Sequence, residues 1–350
     1  MNSKDLVINT LHGIKTEKIP VCPHWWGVYK HEFAAKQKIE LAIPEGKSVS
    51  AKQLADICSV FYEYFKPDWF HLGSKQWIID PLSGRRKLID KLGMEAAKLV
   101  SKKIIDEFIA VSTLTSAELI KTGTYEHVKL LAKKYGNTSF ICVNEGNPIC
   151  GVLDPSSTPG FENGLIAMLE KPKMFEYFVF RIYEAALNRI IALKECGARG
   201  YIGSETYIGA DLISPSLYKE LVFPAHKYFY KKTKTLGLEP IAYITGDVLP
   251  LLPLINTLDI SALMVEDPKK NFKLDIIDIR KNLSGKIALF GNLDSVETLW
   301  RGTIKQVREE TLRELQAAKS GPFIMANGSP IALDTPAKNI KEMIDTVKSF

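Results

Sequence analysis

Eight short apolar runs, each ending in polar or aromatic residues, recur along this 350-residue chain. Amphipathic stretches of helical period lie between most of them. Strands that alternate with helices predict a parallel sheet, and eight such units predict a (β/α)8 TIM barrel, an α/β fold. The runs are IPVCPHWW (19–26), DWFHLGSK (68–75), FICVNEGN (140–147), GYIGSETY (200–207), PIAYITGD (240–247), ALMVEDPK (262–269), IALFGNLD (287–294) and FIMANGSP (323–330).

The aromatic and histidine residues at the first two strand ends predict a substrate site. Parallel barrels carry their chemistry at the carboxyl ends of the strands. Consecutive strand residues face opposite sides, so either Trp25 or Trp26 is expected to point into the mouth. An aromatic wall there suits a flat, apolar substrate. His24 and His71 stand at neighbouring strand ends, where a structural role and a site role are both open.

Acidic residues also collect at the strand ends. Several carboxylates on one rim raise each other's pKa values unless a metal or a cation lies among them. Glu205, in the turn GSETY, is the strongest candidate, because Gly203 and Ser204 leave it room to project. Glu220 follows in the next helix; it either returns to the same rim or is a surface residue. The acidic strand ends are Glu145, Glu205, Asp247, Glu266, Asp267 and Asp294.

The chain is expected to form a single domain over residues 1–350, with a helical extension at 1–18. An insertion at about 76–135, after strand two, is expected to lie over the barrel mouth. Ser3, Ser214 and Thr335 are predicted helix N-caps. The pattern predicts helices at 3–14, 51–65, 114–135, 172–195, 214–236, 249–257, 272–283, 296–318 and 336–349.

Composition excludes several classes of protein. The net charge of +6 comes from scattered Lys and Arg without a basic stripe, which argues against a nucleic-acid partner. The sequence contains no run of about 18 apolar residues, so it does not predict a membrane span. The charged N-terminus does not resemble a secretion signal, and the five unclustered cysteines are typical of reduced thiols. We therefore expect a cytoplasmic protein.

Several segments together resemble the uroporphyrinogen decarboxylase superfamily. They are EKIPV near the start, PIAYITGDVLPLLPLI, MVEDPKKNF, IALFGNLD and NGSPIALDTPAKNIKEMID. The resemblance covers nearly the whole chain and is clearest from 195 to 349. It implies a (β/α)8 barrel, in agreement with the strand pattern. The superfamily contains porphyrinogen decarboxylases and cobamide-dependent methyltransferases.

Residue differences separate this chain from two branches of that superfamily. Decarboxylases carry RQAGRY after the first strand, to hold substrate carboxylates, where this chain has HWWGVYK. The aspartate that decarboxylases carry after strand two corresponds to the segment FHLGS of this chain. The histidine that they carry late in the sequence corresponds to Ser329. Methyltransferases that alkylate coenzyme M hold zinc with His-x-Cys on strand five and Cys on strand eight. The matching residues here are Tyr243, Thr245 and Ser329, so the expected zinc ligands are missing.

The third branch that the chain resembles takes a methyl group from a methoxylated aromatic compound. It passes the methyl to cob(I)alamin, a corrinoid carried by a partner protein. Some members place two glutamates fifteen positions apart, then a histidine, around a zinc ion. Glu205 and Glu220 match the first spacing, and Tyr243 stands near the expected histidine. His226, His24 or His71 could substitute for it.

The resemblance implies a role for each candidate. Glu205 would be ligand or acid, supported by Asp247 and Tyr243. Possible zinc would be held by Glu205, Glu220 and His226. The substrate-binding candidates are His24, Trp25, Trp26, His71, Trp77, Tyr207, Asn327 and Ser329.

Three other functions stay open at this point. The first is methyl transfer from a methyl-corrinoid to a thiol or folate. The second is a binding barrel that has lost its activity, and the third is decarboxylation. A homodimer is also expected from the resemblance.

Overall fold

The structure, a computed structural model, describes residues 1–25, 27–37, 49–73, 81–146, 148–153, 160–268, 272 and 274–350. Within these ranges seven strands form one parallel sheet in the order β1 to β7, each strand next to its neighbour in the chain. The strands are β1 Trp69–Leu72, β2 Phe140–Asn144, β3 Gly200–Glu205, β4 Glu239–Ile244, β5 Ala262–Val265, β6 Ala288–Phe290 and β7 Phe323–Ile324.

The first predicted strand is a short bridging segment around Val21, which lies between β7 and β1. Val21 forms a parallel bridge with Met325, and the Cys22 N–H donates to the Met325 carbonyl at 2.8 Å. On the other side the Asp68 N–H donates to the Val21 carbonyl at 2.9 Å. Pro20 and Pro23 flank this segment and supply no N–H, which keeps the pairing short. The segment closes the barrel, so the predicted TIM-barrel class is confirmed.

The described helices surround this barrel. They are α1 Ser3–Leu11, α2 Tyr29–Lys36, α3 Ala51–Phe65, α4 Arg86–Ala97, α5 Lys102–Ser112, α6 Ser116–Lys121, α7 Glu126–Tyr135, α8 Cys150–Leu153, α9 Phe161–Glu170, α10 Pro172–Glu195, α11 Pro215–Leu217, α12 Phe223–Thr235, α13 Leu252–Ile255, α14 Ile276–Asn282, α15 Ile304–Glu314 and α16 Ala337–Ser349. Short 3-10 turns cover Ser83–Arg85, Leu249–Leu251 and Leu315–Ser320, and π turns cover Tyr218–Val222 and Ser295–Trp300.

Three helices that the pattern predicted as continuous are interrupted. The stretch 114–135 divides into α6 and α7 around Gly123, whose φ of 71° is left-handed. The stretch 214–236 contains the π turn Tyr218–Val222, because Pro224 cannot donate the hydrogen bond that an α-helix needs there. The stretch 296–318 restarts at Thr303, which forms a capping box with Gln306.

Two of the three predicted N-caps are wrong by one residue. Asn2, rather than Ser3, accepts from the Asp5 N–H at the start of α1. Pro336, rather than Thr335, occupies the N-cap of α16. Ser214 is confirmed, since its hydroxyl accepts from the Leu217 N–H.

Alternate strand residues divide the core into two parts. Outward side chains such as Phe70, Val143 and Tyr201 pack beneath the helices in one large apolar cluster. Inward side chains fill the barrel in a second cluster, whose strand members include Trp69, Cys142, Ile202 and Phe290. Val7 and Leu11 of α1 belong to the inward cluster, so the N-terminal extension closes the bottom of the barrel.

The described part of the insertion packs on α10. The Phe108 and Phe178 ring centroids lie 6.0 Å apart, and the Tyr177 hydroxyl donates to Asp106 at 2.8 Å. Residues 76–80 of the insertion lie outside the described residues. Its position over the mouth, and the single-domain division of the chain, stay predictions. Among the described residues, no helix combines the length and apolar character that crossing a bilayer requires.

Candidate functional site at the barrel mouth

Three aromatic side chains from the first strand segment, β1 and β4 meet inside the barrel near its carboxyl end. The imidazole rings of His24 and His71 stack with their centroids 4.7 Å apart. The Tyr243 ring meets His24 edge-on at 5.0 Å. All three side chains are buried. We call His24, His71 and Tyr243 the three-ring floor of the mouth.

The two histidines of the floor are neutral at ordinary pH. Burial lowers the pKa of His24 to about 3 and lowers that of His71 well below its usual value. Within the described part of the chain the ring nitrogens form no hydrogen bond of good geometry, although the Gly328 carbonyl lies beside His24 and the Pro23 carbonyl beside His71. Buried polar atoms without partners are uncommon and indicate a place where a ligand or water binds. The floor therefore offers neutral donors and acceptors to a bound molecule.

Tyr243 is the only hydroxyl of the floor. Its O–H donates to the Gly328 carbonyl at 2.8 Å, and the Ser329 side chain also hydrogen-bonds to it. Burial raises the pKa of Tyr243, and the charges of Asp267 and Glu266 raise it further. The phenol therefore keeps its proton and is a hydrogen-bond donor.

Short polar residues continue the rim on the β2–β5 side. The Ser204 hydroxyl donates to Asn144 Oδ1 at 3.0 Å, and Glu266 Oε2 accepts from the Gly246 N–H at 3.1 Å. Thr245 donates its hydroxyl hydrogen to the Thr206 carbonyl. Ser204 is two positions from the inward Ile202, and Thr245 is two positions from Tyr243, so both lie on the inward face.

Asn327 holds the first strand segment to the end of β7. Its Oδ1 accepts from the His24 N–H at 2.8 Å, and its Nδ2 donates to the Ser329 carbonyl at 2.6 Å. Asn327 is buried and fixes the backbone beneath the floor. Its predicted role in substrate binding stays a prediction. The structure does bring His24, His71, Tyr243 and Ser329 together.

Glu205 points away from the mouth, contrary to the sequence-based expectation. It is one strand position past Ser204, so its side chain enters the space between β3 and helices α10 and α12. There the hydroxyls of Tyr183 and Tyr230 each donate to its carboxylate at 2.7 Å. His226 Nε2 lies 3.4 Å from the same carboxylate, and Tyr218 contacts His226 Nδ1 at 3.0 Å. We call these five residues the Glu205 cage.

The hydrogens of the cage can be assigned from its geometry. The single hydrogen of the Tyr183 hydroxyl goes to Glu205, so His226 Nε2–H donates to the Tyr183 oxygen at 2.6 Å. Burial raises the pKa of Glu205, but His226 and the tyrosine hydroxyls outweigh it, and the net pKa is lowered. Glu205 is therefore a fully bonded, buried carboxylate. It is not free to act as an acid at the mouth.

The remaining predicted residues make other contacts. Trp25 faces outward and stacks on Phe61 of α3 at 4.3 Å, which makes it a core residue and not a wall of the mouth. The Asp247 carboxylate accepts a hydrogen bond from the N–H of Leu249, the first residue of the following 3-10 turn. Tyr207 packs on Phe161 of α9, with ring centroids 5.6 Å apart. Glu220 is exposed. Trp26 and Trp77 lie outside the described residues.

The described residues do not fit the zinc site of the thiol-alkylating branch. Tyr243, Thr245 and Ser329 present hydroxyl oxygens where that branch has one histidine and two cysteines. Among the described residues no three His, Cys, Asp or Glu side chains gather as a metal site needs. The three residues predicted as possible zinc ligands do not come together. Glu205 and His226 are in contact, whereas Glu220 is exposed. We assign no step to a metal.

Protonation of the buried histidines is expected to destabilise the protein in mild acid. The folded-state pKa of His24 lies below its unfolded value of about 6.5, so unfolding takes up a proton between those values. Stability should therefore fall as pH drops from about 6.5 towards 3, by up to about 1.4 kcal/mol per pH unit for each such histidine. Urea unfolding between pH 7 and 5 measures this slope. His71→Phe should reduce it by about one proton, and an unchanged slope would contradict the neutral assignment.

The parallel strands and the segment that closes them define the class of protein, a TIM-barrel protein. The chain belongs to the uroporphyrinogen decarboxylase (URO-D) family, whose model matches residues 2–350. It is also similar over its whole length to a methyltransferase from Methanosarcina mazei of known structure. That likeness has a TM-score of 0.76 and 18% identity, and it covers 100% of this chain and 99% of the other.

Two curated relatives show the range of activities in the family. A methylcobamide:CoM methyltransferase, MtbA, from Methanosarcina mazei is 24% identical over 64% of this chain. A uroporphyrinogen decarboxylase from Synechococcus sp. is 24% identical over 57% of this chain and 52% of its own length. The match spans 62% of the length of the MtbA protein.

Proposed function

We propose that this protein is a corrinoid-dependent methyltransferase that demethylates a methoxylated aromatic compound. The methyl group would pass to cob(I)alamin of a partner corrinoid protein. The family relatives that act on methylcobamide support the general class. The observation that carries the finer proposal is the three-ring floor, since neutral rings and one phenol suit an aryl ether.

The reaction would be a single direct displacement at the methyl carbon, in which the bond to the nucleophile forms as the methyl–oxygen bond breaks. Cob(I)alamin supplies the nucleophile and accepts the methyl group as a cosubstrate. The methyl–oxygen bond breaks, its electron pair stays on the oxygen, and the aryl product takes up one proton to become a phenol. Phenolates are poor leaving groups, so a donor aimed at that oxygen accelerates the step.

Tyr243 is the residue we assign to the leaving oxygen. It keeps its proton, it lies in the floor, and its hydroxyl is held at the Gly328 carbonyl until a better acceptor arrives. His24 and His71 would face the aromatic ring as neutral partners. A thiol substrate is favoured less, because zinc-held thiolates need Cys and His ligands that this mouth replaces with hydroxyls.

An anaerobic optical assay tests the proposal directly. Protein, cob(I)alamin and a panel of methoxybenzenes and methoxybenzoates are mixed, and methylcob(III)alamin is followed by its absorbance. Methylation that depends on both the protein and an aryl ether is the expected result. Loss of methyl from methylcobalamin to a thiol or folate, with no aryl ether consumed, would instead place the enzyme on the accepting side. The homodimer and the cytoplasmic location stay predictions.

A further inference from the structure

A cavity of about 220 Å³ lies in the helical layer outside the barrel, between α10 and the helices α5, α6 and α8. Its described lining is mostly apolar and includes no residue of the three-ring floor. The apolar lining residues include Phe108, Ile109, Leu114, Leu119, Ile182 and Ala186. A cavity of about 150 Å³ with apolar walls can already hold benzene, so this one has room for a small apolar molecule.

Arg189 of α10 is the one charged side chain among the described residues that line the cavity. A guanidinium group carries five N–H donors. Within the described part of the chain none of the five forms a hydrogen bond, and the one ion pair of Arg189 joins its Nε to Glu145 Oε2 at 3.9 Å. The Arg189 side chain is 37% exposed, so a molecule from solvent can reach it. The cavity therefore combines apolar walls with a cation whose donors are available.

Glu145 offsets the charge of Arg189 without taking up its donors. It directly follows Asn144, whose side chain contacts Ser204 on the inward face, so Glu145 points into the helical layer. Its side chain is fully buried, and neither carboxylate oxygen forms a hydrogen bond of good geometry in the described part of the chain, although Tyr125 lies beside it. A distance of 3.9 Å is too long for a hydrogen bond. The guanidinium group can therefore bind a second anion.

We propose that this cavity binds a small apolar carboxylate, with the carboxylate on Arg189 and the hydrocarbon part among the apolar walls. A guanidinium group donates two parallel hydrogen bonds to the two oxygens of a carboxylate, and apolar surface that leaves water adds to the affinity. A phosphate monoester is favoured less, because the described lining offers no second cation for its second charge. The site lies apart from the methyl-transfer chemistry proposed for the mouth.

The position of the cavity gives binding a structural consequence. Its walls come from α5 and α6 of the insertion and from α10 of the barrel, so one ligand would contact both parts. A ligand that binds only where these helices are packed together stabilises that packing by mass action. The proposed carboxylate should therefore raise the melting temperature of the protein in proportion to the logarithm of its concentration.

Titration calorimetry with hexanoate, hexanamide and acetate tests the inference. Hexanoate carries both the charge and the hydrocarbon, hexanamide only the hydrocarbon, and acetate only the charge. We expect hexanoate to bind about tenfold more tightly than hexanamide, at the lower end of the range for a charge-assisted hydrogen bond because Arg189 is partly exposed. Acetate should bind at least about tenfold more weakly than hexanoate, because it buries fewer methylene groups.

Three variants locate the binding. Arg189→Met should reduce hexanoate binding to the level of hexanamide. Arg199→Met is the matched control, because Arg199 is exposed just before β3 and is not in the described lining, and it should bind both probes as the wild type does. Ala186→Leu fills part of the cavity and keeps Arg189, so it should weaken both probes. It also tests the site where Arg189→Met does not fold, and a thermal melt checks each variant.

The inference is overturned if hexanoate does not bind, if the wild type binds hexanoate and hexanamide equally, or if hexanoate binding survives in folded Arg189→Met. Unchanged binding of both probes by Ala186→Leu would likewise overturn it, because the hydrocarbon would then lie outside the cavity. These outcomes leave the proposed function untouched, since the methylation of cob(I)alamin by aryl ethers is measured separately and without hexanoate.

Discussion

Glu205→Ala is expected to lower the free energy of unfolding by about 2–6 kcal/mol, because two buried hydroxyls each lose their acceptor at a cost of about 1–3 kcal/mol. The substitution removes the acceptor for the Tyr183 and Tyr230 hydroxyls and leaves His226 without its carboxylate. All three partners stay buried, so water cannot replace the lost bonds without opening the space between β3 and the helices.

The pH dependence of this loss has a definite sign. The pKa of Glu205 is lowered in the folded state, so its contribution is full above the unfolded value of about 4.3 and declines as pH falls through the folded pKa. The difference between wild type and Glu205→Ala should therefore be largest near neutral pH and shrink in acid. Chemical unfolding at pH 7 and at successively lower values measures it.

Glu220→Ala is the control for Glu205→Ala. Glu220 is exposed on the π turn, so its removal should change stability by less than about 0.5 kcal/mol. Equal losses in the two variants would contradict the buried cage. Because the cage faces away from the mouth, Glu205→Gln should bind para-methoxybenzoate as the wild type does wherever the variant stays folded.

The barrel could be predicted because the hydrophobic periodicity of each segment, and the succession of strand and helix segments, can be read directly from the sequence. Each apolar run was long enough to be a strand, and each was followed by a helical period or a turn. The interruptions were harder to predict. Pro224 is visible in the sequence, yet whether it ends, kinks or widens a helix depends on the packing around it.

The direction of side chains at the strand ends could not be predicted. A strand in a parallel barrel is buried on both faces, so its sequence does not alternate between apolar and polar residues. The pair Ser204 and Glu205 illustrates the problem, because only one of them faces inward and both are polar. Gly203 does indicate that space is needed beside Glu205, but the sequence does not show what fills that space. A Cβ there would stand 2.9 Å from the Tyr230 hydroxyl, so the glycine makes room for the cage and not for projection into the mouth.

The burial of Lys30, which is only 3% exposed, could not be predicted for a related reason. Among scattered lysines, a single buried one has no sequence signature, since burial arises from the loop and helix that follow the first strand segment. The histidines were easier to identify, because each stands at a strand end and the barrel gathers strand ends at one rim.

Tyr243→Phe is expected to reduce kcat for aryl ether demethylation by about 10²–10³-fold, with little change in KM. The reason is that the hydroxyl acts on the leaving oxygen as its negative charge develops, whereas the ring that contacts His24 is retained. Loss of the bond to the buried Gly328 carbonyl should cost about 1–3 kcal/mol of stability, which a urea titration separates from the kinetic effect.

A tyrosine on the opposite face of the sheet provides the matched control. Tyr201 is buried and outward-facing, and its hydroxyl lies 3.5 Å from the Gly146 carbonyl, so Tyr201→Phe removes the same atom away from the mouth. It should leave kcat close to that of the wild type. Burial and the nearby acids raise the pKa of Tyr243, so the wild-type rate should not fall through its ionisation until the pH exceeds about 10. Normal turnover by Tyr243→Phe would mean that another mouth residue acts on the leaving oxygen. The nearest candidate is Ser329, whose side chain hydrogen-bonds to the same phenol.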